Sequence, residues 1–263
     1  MTETPHSGFL IPRQPKDFPG LAAFWQFNTQ ADSFRAQQGE AYTLTPKHAD
    51  MRVVDDAGSP FGDKALEIQE GDWLTCPRAE CPALDVHGPD GHLTVMAWVK
   101  RQPTQHGGCE FVAGQWNETH LGRQYGLFLN IRVWDQFNQV TGHISNVGGP
   151  TPGYKYCMDG PVGATEVACD EWSVVGMSYD GSHGYAWLNG RLDSRLGLNP
   201  YSLAGGLHDG GPQGSDFTVG AVDRSGEMGN FFKGLIAGVA VYRRALSPAE
   251  IYALSTLRID SDE

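Results

Sequence analysis

The segment Leu93–Arg101 is the sequence feature that most restricts the fold. Two sets of side chains alternate along it: Leu93, Val95, Ala97 and Val99 on one side, and Thr94, Met96, Trp98 and Lys100 on the other. Successive side chains of a β-strand point to opposite faces of a sheet, so a period of two residues indicates a strand. The segment therefore predicts a long strand inside a sheet.

Further segments of strand composition run through most of the chain. They lie at 22–28, 64–69, 73–76, Glu110–Trp116, 125–131, 140–145, Trp172–Tyr179, 185–188, Arg191–Leu192, 217–221 and Gly234–Tyr242. Asn189-Gly190 predicts a hairpin turn, because both residues tolerate a positive φ. The 34 Gly and 16 Pro are typical of short strands joined by tight turns. The sequence therefore predicts an all-β protein.

The C-terminal region departs from this pattern. Ser247-Pro248-Ala249-Glu250 predicts a capping box, followed by a short helix through about Leu254. We expect an extended N-terminal arm at 1–20, one sandwich domain at 21–258 and an acidic tail at 259–263. All-β chains of this length often form a single domain.

Three segments, in this order, resemble the laminin-G-like members of the concanavalin A-like superfamily. They lie at 93–100, 172–191 and 229–247. The last is the most diagnostic, because a Gly-x-Ile-x-x-Val strand is followed by Tyr-x-Arg-Ala-Leu-Ser and a capped helix. The resemblance extends from about Leu21 to Leu254. It implies a two-sheet antiparallel jelly-roll sandwich with a short C-terminal helix.

The resemblance also bears on metal binding. Members of this superfamily often have an acidic pair after the Ile of the closing strand, where this chain has Ala237 and Gly238. A calcium ligand at that place would be missing. We expect that any structural calcium ion binds at Asn28 and Asp32, with Asp209 and Asp216 as the alternative pair and solvated acidic turns as the simpler interpretation. No other cofactor is predicted.

The superfamily includes lectins, carbohydrate-binding modules, glycoside hydrolases and polysaccharide lyases, so the resemblance implies an oligo- or polysaccharide partner on the concave face of one sheet. Sugar sites combine aromatic rings with planar polar groups. The stretch 115–159 is rich in both. Its predicted substrate-binding residues are Gln115, Trp116, Asn117, His120, Gln124, Lys155, Tyr156 and Asp159.

His143, Tyr154 and Arg132 are the predicted catalytic residues. His143 shares a polar strand face with Thr141 and Ser145, and the Gly- and Pro-rich loop 146–156 follows it. In lyase chemistry a cationic or amide group neutralises the carboxylate of a uronate while His or Tyr removes a proton. The alternative interpretation is that His143 and Arg132 are ordinary surface groups and that Tyr154 packs the loop.

Hydrolase chemistry has weaker support. Glycoside hydrolysis normally needs two carboxylates about 5–10 Å apart, and the Glu-x-Asp-x-x-Glu strand found in hydrolases of the superfamily is absent from this sequence. Glu118 and Asp159 are the hydrolase candidates. Two further hypotheses stay open: a non-catalytic, lectin-like glycan-binding module, and a structural sandwich that binds other proteins.

Charge and composition exclude several other classes. The net charge of −12 disfavours nucleic acid and anionic membrane surfaces as partners. The sequence contains neither a run of about 18 apolar residues nor a readable signal peptide. The odd count of 5 Cys predicts reduced thiols. We therefore expect a cytoplasmic protein, with secretion as the alternative, and the sequence predicts no particular oligomeric state.

Overall fold

The computed structural model describes residues 14–105, 107–134 and 137–259. Within these residues there are 18 strands and one α-helix. The strands are β1 (Leu21–Gln26), β2 (Phe34–Arg35), β3 (Gln38–Gly39), β4 (Thr43–Pro46), β5 (Val53–Asp55), β6 (Lys64–Ile68), β7 (Leu74–Cys76), β8 (Leu93–Arg101), β9 (Glu110–Trp116), β10 (Arg123–Leu129), β11 (Gln139–Ile144), β12 (Val162–Glu166), β13 (Trp172–Tyr179), β14 (His183–Leu188), β15 (Arg191–Leu192), β16 (Tyr201–Ser202), β17 (Phe217–Val219) and β18 (Gly234–Tyr242). The helix is α1 (Pro248–Ser255), and short 3₁₀ turns lie at Pro15–Asp17, Arg78–Glu80, Pro82–Leu84 and Gly211–Gln213.

The strands form two antiparallel sheets. One sheet of 10 strands has the order β15-β14-β13-β8-β18-β1-β3, with β16 paired to β14, β6 to β18 and β5 to β6. The other sheet has 8 strands in the order β12-β11-β10-β9-β17-β7-β4-β2. This arrangement confirms the predicted two-sheet jelly-roll sandwich with one C-terminal helix.

The main core lies between the two sheets. The alternation predicted for β8 is confirmed, because Val95 and Ala97 pack in the core between the sheets with Leu127 of β10. Met96 and Trp98 occupy the opposite face of β8, where they join a second apolar cluster that includes residues of α1. The ten-stranded sheet is therefore buried on both faces, and the helix covers its outer side.

The predicted capping box at the start of α1 is confirmed. The Ser247 hydroxyl accepts a hydrogen bond from the Glu250 amide at 3.4 Å, and the Glu250 carboxylate accepts one from the Ser247 amide at 2.8 Å. Arg244 holds the same carboxylate at 2.6 Å. The helix begins at Pro248 and continues one residue beyond the predicted Leu254.

The predicted N-terminal arm is described only from residue 14 onwards. Pro15–Asp17 form a 3₁₀ turn between the extended residues Gln14 and Phe18, and Phe18 is buried. The Tyr242 hydroxyl donates to the Pro15 carbonyl at 2.9 Å and ties the turn to β18. Residues 1–13 and most of the predicted acidic tail lie outside the described residues. No described helix has both the length and the apolar character needed to cross a membrane.

Candidate functional site

A cavity of about 650 Å³ opens on the outer face of the eight-stranded sheet, over β9, β10 and β11. Alternation along β10 explains its floor. Tyr125, Leu127 and Leu129 point into the main core, so Phe128 points outwards. Segments of the loops 117–122, 130–134, 145–161 and 222–230 surround the opening.

The floor of the cavity is a small aromatic cluster that is separate from the main core. Phe128 meets Phe111 edge-to-face with ring centroids 4.9 Å apart, and Trp116 with centroids 5.9 Å apart. A Cβ atom at Gly126 would lie 2.8 Å from the Phe128 ring. Glycine at this position therefore leaves the space in which the aromatic rings pack.

His143 lies in this floor between two aromatic rings. It is 5% exposed, stacks on Trp116 with centroids 5.0 Å apart and contacts the edge of Phe128. The sequence predicted that His143 lies on a polar face of its strand. In the structure the surroundings of His143 on that face are aromatic and buried. Trp116 and Phe128 come from neighbouring strands, which the period of a single strand does not reveal.

Burial determines the protonation state of His143. It lowers the pKa of the imidazole to about 4, with a further lowering from the positive charge of Arg123. The ring is therefore neutral at pH 7. Nδ1 lies 2.9 Å from the Asp159 carbonyl, which can only accept, so Nδ1 carries the proton. Nε2 keeps its lone pair and is the acceptor that this residue offers to a ligand.

Glu118 lies in one wall of the cavity and is the only carboxylate among the described lining residues. Glu118 lies 3.0 Å from Nε of Arg224 and accepts a hydrogen bond from the Asn230 amide at 3.0 Å. Arg224 also donates to the Asn230 side chain at 3.2 Å. The three residues form a fixed polar wall that joins loop 117–122 to loop 222–230.

The mouth of the cavity is cationic and aromatic. Arg132 lies over the ring of Phe137 at 5.6 Å, and Lys155 lies over Tyr156 at 4.9 Å. Tyr156 is 59% exposed and also lines the cavity. A ligand entering the cavity therefore meets cationic heads beside exposed aromatic rings.

The structure brings many of the predicted site residues together. Those that line the cavity are Trp116, Glu118, His120, Arg132, His143, Lys155 and Tyr156. Gln115, Asn117, Gln124, Tyr154 and Asp159 are not among its lining residues. One cavity is thus lined by a subset of the predicted site residues.

Three of the predicted residues that do not line the cavity are buried or bonded elsewhere in the fold. Gln115 pairs with Tyr125, so its side chain faces the interior, where neither amide atom has a hydrogen-bond partner among the described residues. The Asn117 side chain accepts from the Thr119 amide at 2.9 Å and shapes the following turn. Gln124 is buried, and its amide donates to Asp85 at 3.0 Å.

The other two belong to the loop after β11. The Tyr154 ring is 51% exposed and packs edge-to-face on Trp134 with centroids 6.1 Å apart. The Asp159 carboxylate accepts hydrogen bonds from the Thr151 hydroxyl at 2.5 Å and the Tyr201 hydroxyl at 2.9 Å. Asp159 therefore fastens the loop, and both of its oxygens are engaged.

Several lining residues are not among the predicted site residues. They include Cys109, Leu121, Arg123, Phe128, Cys157, Arg224 and Asn230. Burial raises the pKa of Cys109 and of Cys157 to about 11, so both thiols are protonated at neutral pH and are poor nucleophiles. The polar turn 222–230 was the available signal for Arg224 and Asn230. It reaches the cavity through the pairing of β17 with β9 and through backbone hydrogen bonds from Phe111 to Asn230 and from Glu118 to Asp223.

The predicted calcium positions offer few ligands. Asn28 accepts a hydrogen bond from the Thr29 hydroxyl at 3.3 Å, and Asp32 is exposed, so the pair provides one carboxylate. Asp216 accepts from the Arg78 amide at 2.8 Å instead of joining Asp209. These donor sets do not fit Ca²⁺, which prefers six to eight oxygen ligands.

Among the described residues, one group of three side chains has the spacing of metal ligands: Asp85, His87 and Asp209. The guanidinium of Arg78 lies 2.5 Å from Asp85 and 3.5 Å from Asp209. Because the Arg78 guanidinium lies between the two carboxylates, the group fits an ion-pair cluster better than a metal centre.

The two-sheet antiparallel jelly-roll sandwich is a fold of the concanavalin A-like class. The chain belongs to the concanavalin A-like lectin/glucanases superfamily, since the Laminin_G_3 family model matches residues 77–252. No curated protein matches the chain.

Solved structures share this fold at low sequence identity. Domain 4 of AbnA, a GH43 extracellular arabinanase from Geobacillus stearothermophilus in complex with arabinotriose, is 17% identical with a TM-score of 0.57, over 90% of this chain and 98% of that domain. The Trypanosoma rangeli sialidase in complex with sialic acid is 14% identical with a TM-score of 0.58, over 93% of this chain and 33% of the sialidase. The binding domain of Paraclostridial Mosquitocidal Protein 1 is 13% identical with a TM-score of 0.59, over 92% of this chain and 52% of that chain.

Proposed function

We propose that this chain binds an oligo- or polysaccharide in the cavity over β9, β10 and β11. The observation that carries the proposal is the composition of that cavity, in which an aromatic floor meets fixed polar groups. The apolar faces of a sugar pack on aromatic rings while its hydroxyls need oriented donors and acceptors. His143 Nε2, Glu118 and Asn230 supply oriented polar atoms beside the floor.

The exposed apolar side chains near the cavity support this assignment. Tyr156 lines the mouth, Leu121 is 57% exposed beside it, and Tyr154 follows in the same loop as Tyr156. Exposed apolar groups that gather in one area mark binding surfaces. Domain 4 of the arabinanase, which this chain matches over 98% of its length, was solved in complex with arabinotriose, and this favours a glycan as the partner.

Cleavage of a uronate-containing glycan is a second candidate, favoured by the neutral imidazole of His143 in a cavity that also contains Arg132. In this reaction Nε2 takes the C5 proton of the uronate, whose carboxylate is neutralised by an arginine. The electron pair forms the C4–C5 double bond as the C4–O bond breaks, and Tyr156 supplies the proton for the leaving oxygen. Hydrolysis has less support, because Glu118 is the only carboxylate among the described lining residues.

Titration calorimetry with a panel of neutral, uronate-containing and sialylated oligosaccharides tests the binding proposal. Tyr156→Ala should weaken binding about two- to tenfold, since aromatic contacts contribute about 0.5–1.5 kcal/mol. Tyr252→Ala is the matched control, because Tyr252 is 51% exposed on α1, on the other sheet's side. Absence of binding to every panel member, or equal affinities for both variants, would contradict the proposal.

The same panel tests cleavage by the absorbance of unsaturated products and by new reducing ends. If the chain is a lyase, His143→Asn should lower turnover at least about 100-fold while leaving binding measurable. Binding without turnover of any uronate would refute the lyase candidate and leave a non-catalytic, lectin-like module.

A further inference from the structure

The charge of the cavity differs in sign from the charge of the whole chain. The chain has a net charge of −12. The cavity is lined by four cationic side chains, Arg123, Arg132, Lys155 and Arg224, and by one described carboxylate, Glu118. Glu118 is ion-paired with Arg224, so three cations remain without a carboxylate within 4.0 Å among the described residues.

Arg123 is the most informative of these cations. It begins β10, is 9% exposed and lines the cavity. Arginines with this degree of burial normally have an acidic partner, because an unpaired buried charge is costly. Arg101 shows the usual arrangement in this protein, since it is 4% exposed and lies 2.6 Å from Glu110.

No carboxylate among the described residues lies within 4.0 Å of the Arg123 guanidinium. His143 is neutral, and the Cys157 thiol is protonated at neutral pH. The Asp159 carboxylate acts electrostatically on Cys157 together with Arg123, but its two oxygens accept hydrogen bonds from the Thr151 and Tyr201 hydroxyls and not from Arg123. An anion that enters the cavity would therefore meet a desolvated guanidinium whose donors are free to bind it.

We propose that the ligand is an anionic sugar whose carboxylate or sulfate group pairs with Arg123, while Arg132 and Lys155 draw it to the mouth of the cavity. The planar guanidinium forms paired hydrogen bonds with either anion, and such charge-assisted bonds are strong in a buried site. This inference rests on the proposed glycan-binding function and specifies the class of glycan.

Calorimetry with matched probes tests the inference. The probes are oligogalacturonates and oligoglucuronates, the same oligosaccharides after carboxyl reduction, and sulfated galactan oligosaccharides with their desulfated forms. We expect an anionic probe to bind at least tenfold more tightly than its neutral counterpart. Arg123→Gln should abolish that difference, whereas Arg191→Gln, which removes an exposed charge from β15, should preserve it. The carboxylate and sulfate pairs show which anion is preferred.

A stability measurement separates a binding role from a structural role. If Arg123 is held for an anion, Arg123→Met should raise the melting temperature of the free protein by at least about 2 °C, because the variant no longer buries an unpaired charge. A structural arginine would lower it. Binding that is equally tight for charged and neutral probes would overturn the inference while leaving the proposed function intact, and absence of any glycan binding would refute both.

Discussion

The indole of Trp116 stacks on the imidazole of His143 with ring centroids 5.0 Å apart and planes inclined by 22°. Trp116 ends β9 and His143 lies in β11, so the contact spans the intervening strand β10. Phe128 of β10 meets both rings edge-on. The three strands therefore present one continuous aromatic surface, and the only nitrogen in it that can accept a hydrogen bond from a ligand is Nε2 of His143.

This burial predicts a pH dependence of stability. The pKa of His143 is about 4 in the folded protein and about 6.5 in the unfolded chain. The unfolded chain therefore binds more protons between these values, and stability falls as pH falls. From pH 6.5 to pH 4.5 we expect His143 to reduce the free energy of unfolding by about 2–3 kcal/mol, measured by urea denaturation at several pH values.

His143→Asn provides the control, because the amide of Asn can still donate to the Asp159 carbonyl but does not titrate. Its stability should be nearly constant in the same window. Asp180 and Glu250, whose pKa values are lowered to about 2, lose most of their stabilising effect below this window. An identical slope for the parent protein and His143→Asn between pH 6.5 and 4.5 would show that His143 is not the responsible group.

Asp159 should act as a loop fastener and not as a catalytic acid. Tyr201→Phe removes the hydrogen bond between these side chains and Asp159→Asn removes its charged acceptor, and each change should cost about 1–3 kcal/mol of stability. The double variant should cost less than the sum of the two single changes, because both remove the same interaction. Additive effects in urea denaturation would argue against the contact.

The fold was predictable where side chains alternate over a long segment. β8, β9, β13, β15 and β18 begin and end at the predicted residues. The missed strands β2, β3, β4, β5, β12 and β16 are short or lack a regular alternation. A strand of two residues such as Phe34–Arg35 has no period to detect, and it forms only because β4 provides hydrogen bonds to it.

The candidate site was predictable where one stretch of chain supplies it. Trp116, His143 and Tyr156 come from the stretch 115–159 and line the same cavity. Tyr154 comes from the same stretch but does not line the cavity, because its ring packs on Trp134. Its amide donates to the Thr151 carbonyl at 2.9 Å in the turn that holds it there. Loop geometry of this kind, and the arrival of Arg224 from a distant loop, depend on tertiary contacts that a single sequence does not display.

The N-cap of α1 gives a local test of the C-terminal structure. Ser247→Ala removes the hydroxyl that accepts from the Glu250 amide, so we expect a loss of about 1 kcal/mol. Ser202→Ala, at an exposed position of β16, is the matched control and should change stability by less than about 0.5 kcal/mol. Urea denaturation of both variants measures the difference, and equal losses would mean that the cap contributes nothing specific.

The buried pair Arg101–Glu110 should be the most sensitive polar contact of the sandwich. Nε and Nη2 of Arg101 lie 2.6 and 2.8 Å from the two oxygens of Glu110, and Nη2 also donates to Asn138 at 2.6 Å. Glu110→Ala leaves a buried unpaired cation and should cost about 3–5 kcal/mol. Arg101 also holds Asn138, which follows the segment that contains the cavity residue Arg132. We expect the loss of Glu110 to shift this segment, so the same variant should also weaken glycan binding.

The double variant Arg101→Met/Glu110→Met distinguishes the loss of a charge from the loss of packing. It removes both charges and retains most of the buried volume, so its stability should return to within about 1–2 kcal/mol of the parent protein. Because Met cannot hold Asn138, glycan affinity should stay reduced although stability recovers. Recovery of both properties would mean that the ion pair does not position the mouth of the cavity, and recovery of neither would mean that its contribution is packing.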